Sequence, residues 1–245
     1  MATDAAGTTD TETLSTGETV SLPLRTEAEM VGATFAVPRE GVADLLPDGL
    51  HPIRATPRSA AMTVLSVSYD RIGDGQIDPY EELAVLFPAV RAGERSVPGA
   101  SLATRGTGGY VWFLPVTTDP ATALGVDIWG FPKVVADIEH VEGGGRRRTT
   151  VNVDGDLFLE LSVAAPPSVP RTETGVQYTR MDGETLAVET TIDGRIGAWP
   201  LSDAVRLEFG DHPRAVPLRA LDPGGRALAR VSVSGTVAFA RGRPL

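Results

Sequence analysis

The residue with the clearest chemical potential is Lys133, the only lysine in the chain; the other 21 basic side chains are arginine. Arginine stays charged in proteins, whereas a lysine amine can lose its proton when its surroundings disfavour the charge. Lys133 is therefore the one side chain that could act as a neutral amine nucleophile. A bias against lysine across the whole composition is the alternative explanation for its isolation.

The segment around Lys133 is apolar, since Trp129 and Phe131 precede it and Val134 begins an apolar run. An unperturbed lysine has a pKa of about 10.4, so only about one amine in 2,500 is neutral at pH 7. Burial in an apolar environment disfavours the ammonium form. We therefore expect Trp129, Phe131 and Val134 to form a dry pocket that keeps the amine reactive.

Composition excludes several classes of function. The net charge of -10 argues against binding to nucleic acid, which requires a basic surface. The absence of cysteine excludes disulfides and a thiolate nucleophile. No apolar run reaches the roughly 18 residues of a membrane span, and the start lacks the pattern of a secretory signal. We therefore expect a cytoplasmic protein without membrane or nucleic-acid partners.

The first 20 residues differ in composition from the rest. They are rich in threonine, alanine, glycine and acidic residues and contain almost no large apolar side chains. This composition predicts a disordered N-terminal tail over residues 1–20. The length of the remainder suits one domain, predicted over residues 21–245.

Alternating and continuous apolar segments predict strands along most of that domain. The clearest strand segments are 34–37, 62–69, 83–90 and 110–116. Asp154-Gly155 and Asp182-Gly183 each separate two strand-like runs, as in β-hairpins. Short helices are predicted at residues 39–46 and, as a single turn, at 119–125. The fold class is therefore mainly β (α+β), with an antiparallel sheet that is closed or nearly closed and a few short helices.

Motifs for metal sites are incomplete. Residues 70–81 resemble a calcium-binding loop in their acidic positions, but Ile72 replaces a ligand and strands flank the loop where helices are needed. An acidic connecting loop is the favoured interpretation. The three histidines, His51, His140 and His212, are far apart in sequence and lack the spacing of a transition-metal site. We therefore predict no metal site.

Four motifs in order along the chain resemble the acetoacetate decarboxylase family. They are Pro47-Asp48-Gly49-Leu50 after a short helix, Tyr80-Glu81-Glu82 followed by Pro88, Asp119-Pro120-Ala121 followed by Gly125 and Asp127, and Gly130-Phe131-Pro132-Lys133. The resemblance extends from about residue 34 to beyond Lys133. It is specific in the middle of the chain and only general in the C-terminal half.

The resemblance implies a cone-like β-barrel in which Lys133 forms a Schiff base with a keto acid and Glu82 is a second catalytic residue. It also implies that no cofactor is needed and that the protein forms a homo-oligomer. Tyr80, Trp129 and Phe131 are the implied substrate-binding residues. Arg25 is our candidate for binding the substrate carboxylate, with Arg54 as the second choice.

The sequence departs from the family pattern at three positions. Val134 replaces a second lysine that commonly follows the catalytic one, so desolvation, alone or together with an arginine, must make the amine reactive. An expected carboxylate is absent near Val67, where Ser66 and Ser68 are the polar residues, and Val126 stands where arginine is frequent. Three hypotheses therefore stay open: a β-keto acid decarboxylase, an aldolase or dehydratase using the Lys133 imine, and a ligand-binding protein without catalysis.

Overall fold

The computed structural model describes residues 10–97 and 108–245. Within these residues the strands are β1 (Asp10–Thr13), β2 (Thr19–Leu22), β3 (Leu24–Pro38), β4 (Leu50–Pro52), β5 (Ser59–Ile72), β6 (Tyr80–Phe87), β7 (Ala89–Arg91), β8 (Gly109–Val116), β9 (Lys133–Val135), β10 (Asp137–Gly143), β11 (Arg146–Val153), β12 (Asp156–Ala164), β13 (Val169–Met181), β14 (Glu184–Ser202), β15 (Val205–Phe209), β16 (Ala227–Phe239) and β17 (Arg243–Pro244). The helices are α1 (Arg39–Ala43), α2 (Asp119–Trp129) and α3 (Ala215–Ala220). None of these helices has the length and apolar character needed to cross a bilayer. The prediction of a mainly β protein is confirmed.

The largest sheet has nine strands, with β13, β14, β16, β3, β5, β6, β8 and β9 as successive neighbours and β17 beside β14. The prediction of an antiparallel sheet needs correction, because the sheet is mixed: β9 and β13 both pair with β8 in parallel. The parallel β8–β9 pair follows from α2, which connects the two strands as a crossover helix. We predicted a single helical turn at residues 119–125, whereas α2 has 11 residues in total and ends at Trp129.

Strands β8 and β13 are joined through two residue pairs, Gln177 with Gly109 and Tyr178 with Tyr110. These pairs connect strands that would otherwise lie far apart in the order of the sheet. They are consistent with a sheet that curves back on itself. Closure into a cone-like barrel stays a prediction.

Each face of the large sheet covers a separate core. Along β6, Tyr80 and Ala84 belong to one core, whereas Leu83 and Val85 belong to the other, as the period-two alternation of a strand requires. The second core is completed by a four-stranded sheet in the order β10, β11, β12 and β15. The strand predicted at 83–90 is therefore buried on both faces, as its continuous apolar sequence indicates.

The N-terminal prediction needs correction. Strands β1 and β2 form an antiparallel hairpin over residues 10–22. Leu14 and Val20 are buried, and the backbone amide of Ser15 donates a hydrogen bond to Asp127 Oδ2 at 2.7 Å. The prediction of a disordered tail is thus wrong for residues 10–20, because two well-spaced apolar side chains and one hydrogen bond hold the segment. Residues 1–9 lie outside the described residues.

The two predicted hairpins are confirmed. Strands β11 and β12 flank Asp154-Gly155, and β13 and β14 flank Asp182-Gly183. All four turn residues have positive φ, between 51° and 86°. This is the conformation that two-residue hairpin turns require and that glycine and aspartate tolerate best.

Candidate active site

Lys133 is positioned by the end of α2. The helix begins at the cap residue Thr118, whose hydroxyl accepts a hydrogen bond from the backbone amide of Ala121 at 3.3 Å. It ends at Gly130, which has a φ of 65°, and the amide of Phe131 donates to the carbonyl of Gly125 at 3.1 Å. This is the usual termination of a helix by a left-handed glycine. The chain then enters β9, and Lys133 is its first residue.

The amine of Lys133 is paired with Glu82. Lys133 Nζ lies 2.9 Å from Glu82 Oε2, and the two side chains are only 5% and 6% exposed. Nζ also donates a hydrogen bond to the hydroxyl of Tyr80 at 3.3 Å. The structure therefore brings together the two predicted catalytic residues and one predicted substrate-binding residue.

Tyr69 adds a second phenol to this group, and our sequence analysis missed it. The Tyr69 and Tyr80 rings lie 4.8 Å apart. Burial, and then the nearby charge of Glu82, raise the pKa of both tyrosines well above the usual value. Both phenols therefore stay protonated at neutral pH. Because side chains alternate between the two faces of β5, Tyr69 lies on the same face as Val67. This spacing is the sequence signal that could have identified Tyr69 as part of the site.

Gly125 in α2 makes room for the lysine side chain. A Cβ atom at this position would lie 2.5 Å from Cδ and 2.6 Å from Cε of Lys133. Contacts below about 3.0 Å are repulsive, so any larger residue would displace the lysine stem. The glycine of the Gly125-x-Asp127 motif thus has a steric function, and Asp127 has the separate function of binding the N-terminal hairpin.

The surroundings of the Lys133 amine are not purely apolar, contrary to our expectation, because the carboxylate of Glu82 lies beside it. Val134 is also not part of the pocket, since it packs against the second core, on the opposite face of the sheet. The side chain of a lysine at position 134 would therefore extend from the face of the sheet opposite to the cavity.

Lys133 and Glu82 line a cavity of about 900 Å³. Trp129 and Phe131 form part of its wall, with their ring centroids 5.5 Å apart. The indole nitrogen of Trp129 donates a hydrogen bond to the carbonyl of Ala240 at 2.9 Å, which fixes the ring. The cavity extends from the buried Lys133 to exposed residues such as Leu201, which is 60% exposed.

Neither arginine proposed to bind the substrate carboxylate lies in the cavity lining. Arg25 is exposed on the outer face of β3, because Leu24 and Thr26 occupy the inner face. Arg54 instead donates a hydrogen bond to the carbonyl of Ser96 at 2.6 Å. Both assignments are corrected: within the described residues, Arg171 is the one arginine that lines the cavity.

A separate polar cluster lies on the other face of the sheet. Ser68 donates to Glu81 Oε2 at 2.6 Å, and His140 Nε2 lies 2.8 Å from the same oxygen. Burial raises the pKa of Glu81, but the hydrogen bonds from His140 and Ser68 together with the charges of His140 and Arg147 outweigh this effect, so its pKa is lowered overall. Ser66 and Ser68 therefore do not replace a carboxylate at the Lys133 site.

Comparison with known proteins places this site in a family. The family model described as acetoacetate decarboxylase matches residues 10–186, more than two thirds of the chain. The chain belongs to the acetoacetate decarboxylase family. The match includes Glu82 and Lys133, so the resemblance in the sequence motifs is confirmed at the level of the family. No curated protein matches the chain.

Solved structures of this family have a similar fold. Acetoacetate decarboxylase from Legionella pneumophila has 16% sequence identity and a TM-score of 0.61, over 91% of this chain and 87% of the other. An acetoacetate decarboxylase-like enzyme from Sphingomonas wittichii has 15% identity and a TM-score of 0.64, over 91% and 92%. The enduracididine biosynthesis enzyme MppR, complexed with a condensation product of pyruvate and imidazole 4-carboxaldehyde, has 16% identity and a TM-score of 0.64, over 90% and 88%. At these identities the similarity concerns the fold.

Proposed function

We propose that the protein is a cofactor-independent lyase that forms a Schiff base between Lys133 and a keto acid, with decarboxylation of a β-keto acid as the first candidate reaction. The proposal depends above all on the 2.9 Å contact between Lys133 Nζ and Glu82 Oε2 at the buried end of an apolar cavity. A buried amine beside a proton acceptor is the arrangement that imine formation requires.

In the proposed reaction the neutral Nζ attacks the ketone carbon, and loss of water gives a protonated imine. The bond to the carboxylate then breaks, carbon dioxide leaves, and the electron pair of this bond moves to the imine nitrogen. Protonation of the enamine carbon and hydrolysis by water release the ketone and regenerate Lys133. Glu82 lies within hydrogen-bond distance of Nζ, so it can accept the proton of the amine and return a proton to the enamine.

An aldolase or dehydratase using the same imine is the second candidate. MppR, of similar fold, is complexed with a condensation product of pyruvate. A ligand-binding protein without catalysis is the third hypothesis, and the experiment below tests all three.

The test is reduction by borohydride in the presence of acetoacetate or pyruvate, followed by the intact mass of the protein. We expect one reduced adduct per chain. An acetoacetate adduct that has lost carbon dioxide indicates decarboxylation before reduction. A pyruvate adduct that retains its carboxylate, without carbon dioxide release from acetoacetate, indicates the aldolase or dehydratase. Because the chain has one lysine, the α-amino group is the one competing amine, and a peptide map separates the two.

Two variants serve as controls. Lys133→Arg keeps a cation beside Glu82 but cannot form an imine, so it should give no adduct. Glu82→Gln keeps the size of the side chain and removes the proton acceptor, so we expect turnover to fall by about 100-fold or more. A folded wild-type protein that gives no adduct with these acids or with longer 3-oxo acids would refute both enzyme hypotheses and leave the ligand-binding one.

We further propose a homo-oligomer in the cytoplasm, with one domain that begins at the β1–β2 hairpin and includes residues 21–245, and a sheet closed into a cone-like barrel. The pairing of β8 with β13 supports the closed sheet. The net charge of -10 supports the absence of nucleic-acid partners. Size-exclusion chromatography with light scattering tests the oligomeric state, and a monomeric mass would contradict it.

A further inference from the structure

The cavity is much larger than a small keto acid requires. Acetoacetate has seven non-hydrogen atoms, which would occupy about 210 Å³ even at the roughly 30 Å³ that each water molecule takes in the liquid. The cavity measures about 900 Å³, within the range of sites that bind ligands of several hundred daltons. Acetoacetate bound to Lys133 would therefore leave most of this volume unfilled.

The unfilled part is long and mainly apolar. Along β14 the lining continues from Thr190 to Leu201, a length of about 36 Å at 3.3 Å per residue. Ile196 and Val231 belong to this wall, beyond the Lys133 end of the cavity. The shape suits an extended apolar chain rather than a second polar group.

Most serine and threonine hydroxyls in the wall already have partners within the protein, whereas the buried Oγ1 of Thr190 has none among the described residues. Thr34 and Thr63 share a hydrogen bond of 2.9 Å between their Oγ1 atoms, and Thr26 donates to the carbonyl of Val237 at 3.2 Å. Buried hydroxyls that are already paired offer little to a polar ligand. This part of the wall therefore favours methylene groups.

Charges in the cavity are confined to its two ends. Among the described lining residues, Lys133 and Glu82 lie at the buried end, while Arg171 and Glu173 form an ion pair of 2.9 Å at the open end. The Arg171 side chain is 61% exposed. No second cation at the buried end is available to hold a small keto acid by its carboxylate, so affinity has to come from apolar contact along the wall.

We propose that the substrates of the Lys133 site are keto acids or ketones with an unbranched apolar chain of about eight or more carbons. The reactive carbonyl lies at Lys133 and the chain extends along β14 and β16 toward Leu201. This inference rests on the proposed Schiff-base function and specifies its substrate class. A small keto acid would then react at this site with low efficiency.

The test is a series of 3-oxo acids and of 2-alkanones with 4 to 12 carbons. Carbon dioxide release, corrected with Lys133→Ala, and the yield of borohydride adduct are measured for each. Each buried methylene should raise kcat/KM about threefold to fourfold, so the increase from 4 to 10 carbons should be at least about 100-fold. Equal or decreasing values with chain length would overturn the proposal and leave the Schiff-base function intact.

Binding is measured separately from chemistry. Calorimetry of unbranched fatty acids and 2-alkanones with 4 to 12 carbons, with Lys133→Ala, reports on the chain site without imine formation. An affinity that increases with chain length supports the chain site. If no adduct forms with the wild-type protein in that case, the Schiff-base chemistry is refuted and the chain site is not. Absence of binding for every chain length would overturn the chain site.

A matched pair of variants locates the chain. Val231→Trp inserts an indole into the apolar part of the cavity, and Ser234→Trp adds the same side chain at an exposed position of the same strand, β16. Val231→Trp should reduce the ratio of long-chain to short-chain kcat/KM at least tenfold, whereas Ser234→Trp should leave the ratio unchanged. The same ratio in Val231→Trp as in the wild-type protein would contradict the proposed path.

Discussion

At the scale of single residues, the Lys133–Glu82 pair depends on neighbours that have no chemical role of their own. Both side chains are almost fully buried, so removing either partner would leave an uncompensated charge inside the protein. Gly125 contributes by being small, and Tyr80 contributes a hydroxyl that stays protonated. The position of the amine is thus determined by packing as much as by the ion pair.

Gly125→Ala tests this steric function. The added methyl would overlap Cδ and Cε of Lys133, and the lysine stem would have to move away from Glu82. We expect adduct formation to fall at least tenfold, as measured by borohydride trapping. Stability should also fall, because the steric overlap and the disturbed buried ion pair outweigh the roughly 1 kcal/mol by which alanine is favoured over glycine inside a helix.

Gly225→Ala is the matched control, since a Cβ at Gly225 would meet no atom within 4 Å. It should leave both trapping and thermal unfolding unchanged. Full trapping in Gly125→Ala, with kinetics like those of the wild-type protein, would show that the lysine does not need this space.

Sequence motifs were sufficient to identify the residues that lie together, but not the direction in which every side chain faces. Lys133, Glu82 and Tyr80 were predicted from the family motifs, and the structure brings them together. Arg25 was wrong because a change of one residue in register exchanges the two faces of a strand. Its neighbours Leu24 and Thr26, and not Arg25, face the cavity.

At the scale of elements, strand β6 carries two different polar sites on its two faces. Glu82 faces the cavity, whereas Glu81 faces the four-stranded sheet and contacts His140 of β10. Arg147 of β11 donates to Ser68 of β5 at 3.4 Å beside the same carboxylate. This polar cluster connects the two sheets and therefore stabilises the position of β6.

The lowered pKa of Glu81 predicts a pH dependence of stability. When the folded-state pKa lies below the unfolded one, the stabilisation is present above the usual value of 4.5 and is lost as the pH falls through the folded-state pKa. Glu81→Gln should therefore reduce the free energy of unfolding at pH 7 and have a smaller effect below pH 4. The reduction should be about 1 kcal/mol or less, because the carboxylate is over a third exposed.

Urea unfolding at several pH values measures this difference. Glu139→Gln is the control, because Glu139 is an exposed acid of β10 next to His140, and it should show no such pH dependence. A Glu81→Gln effect that is constant from pH 7 to pH 3 would refute the coupling between Glu81 and its hydrogen-bond donors.

The elements that were mispredicted share a cause. Helix α2 and the β1–β2 hairpin both depend on contacts with distant residues as well as on local sequence. Asp127 in α2 accepts the hydrogen bond of Ser15 across 112 positions of sequence, and Leu14 is buried in the core that lines the cavity. Local composition contains no information about such contacts. The hairpins at Asp154-Gly155 and Asp182-Gly183 were predicted correctly because their turn residues determine the turn by their own conformation.

At the scale of the whole molecule, the surface carries an excess of acid. The chain has 32 acidic and 22 basic residues and an isoelectric point of about 4.8. Several arginines lie in exposed ion pairs, such as Arg148 with Glu160 on the neighbouring strand and Arg206 with Glu208 on the same strand. Each such pair contributes little by itself. The net charge of -10 leaves many acids that repel one another.

This repulsion predicts that salt stabilises the protein. At pH 7, raising NaCl from 0.01 to 1 M shortens the Debye length from about 30 to 3 Å and weakens repulsion more than it weakens the few ion pairs. We expect the melting temperature to rise by about 2–4 °C or more, equivalent to about 1 kcal/mol. At pH 4.8, where the net charge is close to zero, the same addition should have little effect. A melting temperature at pH 7 that falls with NaCl would show instead that ion pairs dominate the surface electrostatics.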